Sequence, residues 1–258
     1  MEQAGGGPLK IAALIKQTPD VNAVKIDRAT GEPTFTGQQV ISSYDAHAVE
    51  EALRLRDQFG GEVIVVTAGP AAAKDALTRA LAMGADRGIH IEVTNVNALD
   101  SFATARLRAD QLRPLGCDLI VAGLAADDYE TGQVGAQVAE LLDLPLVSGA
   151  VSVEISDGAL SARRDTEDGY QRVSVPLPAM LLSSTGLNEP RLPSLKGIMA
   201  AKKKPVEKIA AAPETETRLT WGAPAAPERT AGGVLVQDVS ATEAAKQLAA
   251  WLREQKLI

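Results

Sequence analysis

Residues 117–142 read CDLIVAGLAADDYETGQVGAQVAELL. An apolar run over 117–123, broken only by Asp118, gives way to small residues, acids and glycines over 123–135, and amphipathic helical spacing runs over 131–142. A short apolar run bounded by turn residues fits a strand buried on both faces, the condition of strands in a parallel sheet. The expected unit is therefore strand, loop, helix, and it recurs toward the N-terminus. Strand-like runs lie at 9–16, 62–68 and 87–93, with helical patterns at 45–58, 71–84 and 99–115. In the helix at 45–58, Val49, Ala52, Leu53 and Leu55 form an apolar stripe beside charged Glu50, Glu51, Arg54 and Asp57, so spacing rather than propensity identifies it. Regular alternation implies right-handed crossovers and an α/β fold, a doubly wound, mainly parallel sheet covered on both faces.

After Pro145 the pattern changes to alternating runs at 147–155, 160–163, 171–175 and 179–184, with Ser156-Asp157-Gly158 as a hairpin turn. These predict an antiparallel extension of the sheet. Beyond Lys204 the composition drifts to Pro, Ala, Glu and Thr as far as Arg229, too polar and proline-rich to pack by itself. A helix follows, capped by Ser240 or Thr242, with an Ala245, Leu248, Ala249, Leu252 stripe. The expected organisation is an α/β domain over 1–204 and an extended arm with a terminal helix over 205–258.

Composition narrows the function. Apolar residues make up 45% of the 258 and aromatics only 3%, so the core is expected from Ala, Val, Leu and Ile, and a stacked platform for nucleic acid is hard to build. A net charge of -7 argues against nucleic acid as a partner, since phosphate backbones require clustered cations. Cys117 is the single cysteine, which excludes an internal disulfide framework and reads as a small buried hydrophobe. The start, MEQAGGGPLK, lacks a secretory pattern, and no apolar run approaches the ~18 residues of a membrane span. The expectation is a soluble cytoplasmic protein with no membrane insertion. His47 and His90 lack the spacing of metal or triad partners, and Asp165, Glu167 and Asp168 read as a turn beside Gly169. No catalytic residue and no metal site is expected.

Two loops after strands could meet a ligand, because open parallel sheets bind beyond the carboxyl ends of their strands. One is Thr67-Ala68-Gly69-Pro70. The other spans 123–135, where backbone N–H groups at the helix start and the Thr131 hydroxyl suit a phosphate. It matches neither a P-loop nor GxGxxG, and a plain strand-to-helix loop capped by Asp128 or Thr131 is the alternative. A third stretch, NEPRLPSLKGIMAAKKK over 188–204, is broken by Pro190 and Pro193. Leu195, Ile198 and Met199 then stand at the head of a short helical turn, before three lysines that continue into water. That is the pattern of a presented docking anchor; the alternative is a loop whose Leu195 folds back on its own core.

The last stretch resembles the recognition loop of the β subunit of electron-transfer flavoproteins, and the likeness runs along nearly the whole chain. It includes KIAALIKQTPDVNAVKID, AVEEALRL from Ala48, RALAMGADRGIHIE from Arg79, GLAADDYETGQVG from Gly123 and RTAGGVLVQ from Arg229. The resemblance implies a fold of the adenine-nucleotide-binding type and one half of a heterodimer with a flavoprotein α subunit, which holds most of the FAD. It implies an AMP, or a second FAD, on Gly123, Asp128, Thr131, Gly132, Gln133 and Val134, with Leu14, Ser42 and Ala68 lining the adenine side. Val21, Asn22 and Tyr44 would wall the isoalloxazine ring. Leu195, Ile198 and Met199 would dock on dehydrogenases, and the arm and terminal helix on the α subunit.

The implied activity is electron transfer from flavin dehydrogenases, such as acyl-CoA dehydrogenase, to a quinone reductase or similar acceptor. Two alternatives stand beside it, an electron-bifurcating subunit oxidising NADH with a second FAD and a non-redox nucleotide-binding sensor. The spacing from Gly123 through Asp128 and Thr131 to Gln133 resembles the bifurcating pattern, as does PSLKGIMAAKKK. Against it, Tyr129 replaces a small residue and would crowd a second flavin, and Ser42-Ser43-Tyr44-Asp45 departs from the family's Asn-Pro-Phe followed by an acid. The balance falls on AMP or an unfilled site.

Overall fold

Seven residues, LKIAALI, make the central strand β1 (Leu9–Ile15) of the computed structural model, which describes residues 7–35, 37–211, 217–222 and 234–258. An excursion of short strands follows, β2 (Gln17–Pro19), β3 (Val24–Ile26), β4 (Pro33–Phe35) and β5 (Gln39–Ile41), paired β2 with β5 and β3 with β4. Then come α1 (Ser43–Phe59), β6 (Gly61–Gly69), α2 (Lys74–Met83), β7 (Arg87–Glu92), α3 (Ser101–Leu112), β8 (Leu119–Gly123) and α4 (Val134–Leu141). The chain continues through β9 (Leu146–Ser156), β10 (Ala159–Thr166), β11 (Gly169–Pro176), β12 (Ala179–Ser183), α5 (Leu195–Ala201), β13 (Val206–Ala210) and α6 (Ala241–Glu254).

Nine of these strands form one sheet in the order β11-β10-β9-β12-β8-β1-β6-β7-β13. From β9 to β13 every neighbouring pair is parallel. Side chains alternate along a strand, so β1 divides the core. Ile11, Ala13 and Ile15 pack with α1 and α2 residues such as Val49, Leu53, Leu77 and Leu81. Ala12 and Leu14 pack on the other face with Ala105, Leu112, Val138 and Ala139 of α3 and α4. Helices on both faces of a mostly parallel sheet are the α/β architecture the alternation predicts.

Several elements differ from the sequence reading. Within the nine-stranded sheet only β9, β10 and β11 pair antiparallel; β12 returns into it parallel to both β8 and β9. Its five residues, AMLLS, are all buried, so it is a continuous apolar strand of the parallel kind. The hairpin at Asp157-Gly158 forms as expected, both residues with positive φ. The sheet also runs past residue 204, because β13 pairs parallel with β7 at its edge. Five residues with only two half-buried apolar side chains, Val206 and Ile209, carry too little periodicity to announce a strand. The helix expected from Thr131 begins at Val134, since Glu130 at φ 49 and Gly132 at φ 61 hold left-handed conformations that no helix continues.

Ser240 caps α6 by accepting from Glu243 N–H at 3.2 Å, and no α6 residue is buried. Of the arm, 212–216 and 223–233 lie outside the described residues, including the first five of RTAGGVLVQ. Among the described residues, no helix is long and apolar enough to cross a membrane.

Candidate functional site

The strand order reverses beside β1. From β1 the chain builds outward through β6 and β7 on one side, then places β8 on the other. The crevice at the carboxyl ends of β1 and β8 is thus a topological switch point, where open α/β sheets bind ligands. Asp45, in the first turn of α1, closes its floor. One carboxylate oxygen accepts from Lys16 N–H at 2.7 Å, just past β1, and the other from Gly123 N–H at 3.0 Å, the last residue of β8. Only glycine fits at 123, because a Cβ there would lie 2.6 Å from Asp45 Oδ1 and from Tyr44 Cβ. Burial pushes the Asp45 carboxyl up to about 7, against the pull of Arg108 and the two main-chain donors. Arg108, reaching in from α3, donates from Nη2 to Ile15 O at 3.0 Å, and its own burial lowers its pKa.

The loop over 124–133 rises from this floor. Asp127 accepts from Ser43 N–H at 2.7 Å and from the Ser43 hydroxyl at 2.6 Å, while its own N–H donates to Ser42 Oγ at 3.3 Å. Asp128 pairs with Lys16 Nζ at 2.6 Å. Gln133 Oε1 accepts from the Ser101 hydroxyl at 2.8 Å, so α3 and the loop touch at the head of α4.

The residues expected to hold nucleotide converge here in part. Gly123, Asp128, Thr131, Gly132, Gln133 and Val134 lie on the one loop, and Ser42 is tied to it through Asp127. Leu14 and Ala68 lie near the ends of adjacent strands β1 and β6. Leu14 is fully enclosed with Ile64 and Val66 and shows no surface to the crevice, because its strand position points it into the core beneath α3 and α4. Val21 and Asn22 are carried away on the excursion after β1, where Asn22 bonds to Asp20. Tyr44 is half-buried in the first turn of α1.

The donor set fits a phosphate. No side chain caps α4, whose N-cap is Gln133, so the N–H groups opening that helix remain for an anion. Two buried polar atoms nearby in the fold, Arg108 Nε and Gln137 Oε1, have no hydrogen-bond partner.

Sequence reasoning gave Asp45 and Asp127 no role beyond their place in their loops and did not single out Lys16 or Arg108. Arg108 carried a signal, since it shares a helix face with Ala105 and Leu112 at spacings of three and four, and a charge inside an apolar stripe is rarely buried without a task.

A second feature lies on the face covered by α1 and α2. Leu195 of α5 is 76% exposed, Met199 66% and the preceding Leu192 82%, while the stretch around them is fastened tightly. Asn188 bonds to His47 O and Glu51 at 3.0 Å each. Arg191 grips Glu50 with its main-chain N–H, Nε and Nη2 at 2.8–3.0 Å and reaches Asp57 at 3.2 Å. Ser194 caps α5. Gly197 lies so close to α2 that a Cβ would collide with Ala82 O. Lys204 does not continue into water as the run of lysines suggests; its ammonium donates to Leu81 O at 3.0 Å and Ala85 O at 2.6 Å, closing the C-terminal end of α2. Glu50 and Glu51, assigned by spacing to the solvent side of α1, are buried beneath this loop.

A family model for the electron transfer flavoprotein domain matches residues 34–214. An electron transfer flavoprotein subunit beta from Syntrophomonas wolfei is 40% identical over 247 residues, covering 95% of this chain and 96% of that protein. The chain belongs to the electron transfer flavoprotein β subunits. A Bacillus subtilis subunit beta of the family is 36% identical over 203 residues, 78% of this chain and 79% of the other. The caffeyl-CoA reductase-Etf complex subunit CarD of Acetobacterium woodii is 35% identical over 266 residues, 97% and 100%. The α/β architecture, with its large and mostly parallel nine-stranded sheet, is consistent with that family.

Two expectations follow from the geometry. The Asp45 carboxyl titrates higher in the fold, about 7, than its ordinary 3.8. The folded state therefore binds the extra proton between those values, and this contribution to stability is complete below pH 4 and lost as pH rises through 7. Urea titrations between pH 5 and 7 should show stability falling with pH more steeply in the natural protein than in Asp45→Asn, by up to about 1.4 kcal/mol per pH unit. Arg191→Ala should cost about 2 kcal/mol in the same assay by stranding buried Glu50, whereas exposed Lys203→Ala should change stability by less than about 0.5 kcal/mol.

Proposed function

We propose that this chain is the β half of a heterodimeric electron carrier, which fastens the complex to flavin-dependent dehydrogenases while its α partner holds the redox flavin. The observation that supports the docking role best is the contrast within 188–204. Leu192, Leu195 and Met199 face solvent, yet Asn188, Arg191, Gly197 and Lys204 hold their backbone against α1 and α2. An apolar anchor already fixed in its bound conformation loses little entropy on association, which is what a short-lived complex requires. Leu195 is the central anchor, with Ile198 and Met199 beside it.

When bound by the α subunit, FAD supplies the electron-accepting chemistry. This chain contributes no acid, base or nucleophile to that step. Val21, Asn22 and Tyr44 form one wall near the flavin, and α6, with Leu248 and Trp251 exposed, docks on the α subunit. Electrons pass from dehydrogenases of the acyl-CoA type to a quinone reductase or similar acceptor.

The crevice at β1 and β8 holds AMP as a structural nucleotide, its phosphate on the Thr131 hydroxyl and the N–H groups of Gly132, Gln133 and Val134. Tyr129 supports AMP over FAD, since its ring, 4.9 Å from Lys16 Nζ, takes up the rim of the loop. A second reading, a second FAD in the crevice with NADH oxidation, draws on the spacing of Gly123, Asp128, Thr131 and Gln133. Two flavins per heterodimer and flavin-dependent NADH oxidation would select it.

Leu195→Ala, co-expressed with the α subunit, should raise the concentration of heterodimer needed for half-maximal reduction by an acyl-CoA dehydrogenase about tenfold. Flavin content should stay unchanged. Equal transfer rates for the variant and the natural pair would remove the anchor assignment.

A further inference from the structure

A cavity of about 90 Å³ opens beneath the segment that leads into α5. Val40 of β5, Ala46 of α1, Arg79 and Met83 of α2, and Leu192 and Pro193 line it. Leu192 is 82% exposed and does not fold back to fill the space. Engineered apolar cavities of about 150 Å³ hold a benzene ring, so this smaller one suits a single aliphatic side chain. The wall at 190–193 is held from outside, because Arg191 spends its guanidinium on Glu50 and Asp57 and the prolines on either side of it restrict the backbone. Met83 brings an unbranched, adaptable thioether that shapes itself to a guest.

One cation beside the cavity is unspent. Arg79 is exposed and forms no hydrogen bond or ion pair among the described residues, with Asp75 one turn before it on α2 included. Arg56 and Arg191, by contrast, each reach two carboxylates. Helix α5 lies against α2 at Gly197, and Lys196, Lys202 and Lys203 stand exposed on it and at its end, likewise without ion pairs among the described residues. Positive charge is gathered here in a chain whose net charge is -7. Along the chain, Leu192 joins the cavity to exposed Leu195 three residues on.

We propose that docking is reciprocal: Leu195 enters the client dehydrogenase, an aliphatic side chain of the client enters this cavity, and a client carboxylate beside that side chain settles on Arg79. This rests on the docking reading above. An acidic and apolar surface segment is the partner that the open cavity and the free cation both fit. A single anchor leaves a complex free to turn about it, whereas a second contact carrying charge fixes its register.

The test uses the heterodimer with its α subunit and an acyl-CoA dehydrogenase, and reads the heterodimer concentration for half-maximal reduction at low salt and at about 0.5 M salt, where exposed charges are screened. Flavin content and the urea midpoint mark an intact pair. Arg79→Gln should raise that concentration about two- to fivefold at low salt and Arg79→Glu about tenfold, both differences shrinking at high salt. Ala46→Leu and Val40→Phe, which fill the cavity from separate walls, should raise it about tenfold at either salt. Arg79 is exposed, so its variants test the proposal even where a filled cavity disturbs the fold. Leu195→Ala raising the concentration while every intact Arg79 and cavity-filling variant keeps the natural value overturns the socket and leaves the anchor standing. Tighter docking by Arg79→Glu than by the natural pair also overturns it. Natural behaviour of Leu195→Ala removes the docking reading itself, and the socket with it.

Discussion

One carboxylate governs the switch point. Parallel strands that end side by side leave main-chain N–H groups pointing past the last ladder bond, and a buried donor without an acceptor is costly. Asp45 supplies both acceptors at once, to Lys16 beyond β1 and to Gly123 at the end of β8. The same residue sits in the first turn of α1, where a negative group suits the helix terminus. Strand ends, helix start and the loop after β8 are therefore registered on a single side chain. Gly123 has to be glycine because the carboxylate comes so near, and Asp127 repeats the device one layer out by gripping Ser43. Arg108 balances the buried charge from the opposite face of the sheet, so the pair lends each other a potential that solvent would have screened.

Helix α5 shows a different solution to holding a short element in place. A seven-residue helix is too short to persist by its own hydrogen bonds. Here it is secured from outside, by Arg191 and Asn188 before it, Lys204 after it, and van der Waals contact at Gly197. Each of these contacts is polar or steric, and none uses Leu195 or Met199. Leu195 and Met199 stay exposed because the helix does not depend on them for its position.

Where the chain is periodic, the fold was legible. The four strand runs before residue 124 and the helices between them fall within a few residues of their places, since burial on both faces writes unbroken apolar runs that need no tertiary knowledge. The loop over 124–133 was legible as a loop from the change in composition after β8. What stayed hidden depends on contacts between distant residues. That AMLLS at β12 runs parallel between β8 and β9 follows from an eighteen-residue hairpin excursion whose return no local pattern records. Glu50 and Glu51 looked solvated because Arg191 and Asn188, which cover them, lie about 140 residues away. Lys204 read as one of three solvated lysines for the same reason. Trp221 stood in a polar, proline-rich stretch that gave no sign of reaching Tyr129.

The route of the chain through α5 has a mechanical side. Residues 184–205 leave the sheet from β12 and re-enter it at β13, and the order of strands puts β8, β1, β6 and β7 between those two points. The crossing lies over α1 and α2, to which it is bolted by Glu50 and by the carbonyls at the end of α2. A force applied at Leu195 is accordingly divided between two strands at well-separated places in a rigid slab, with no single hinge to bend.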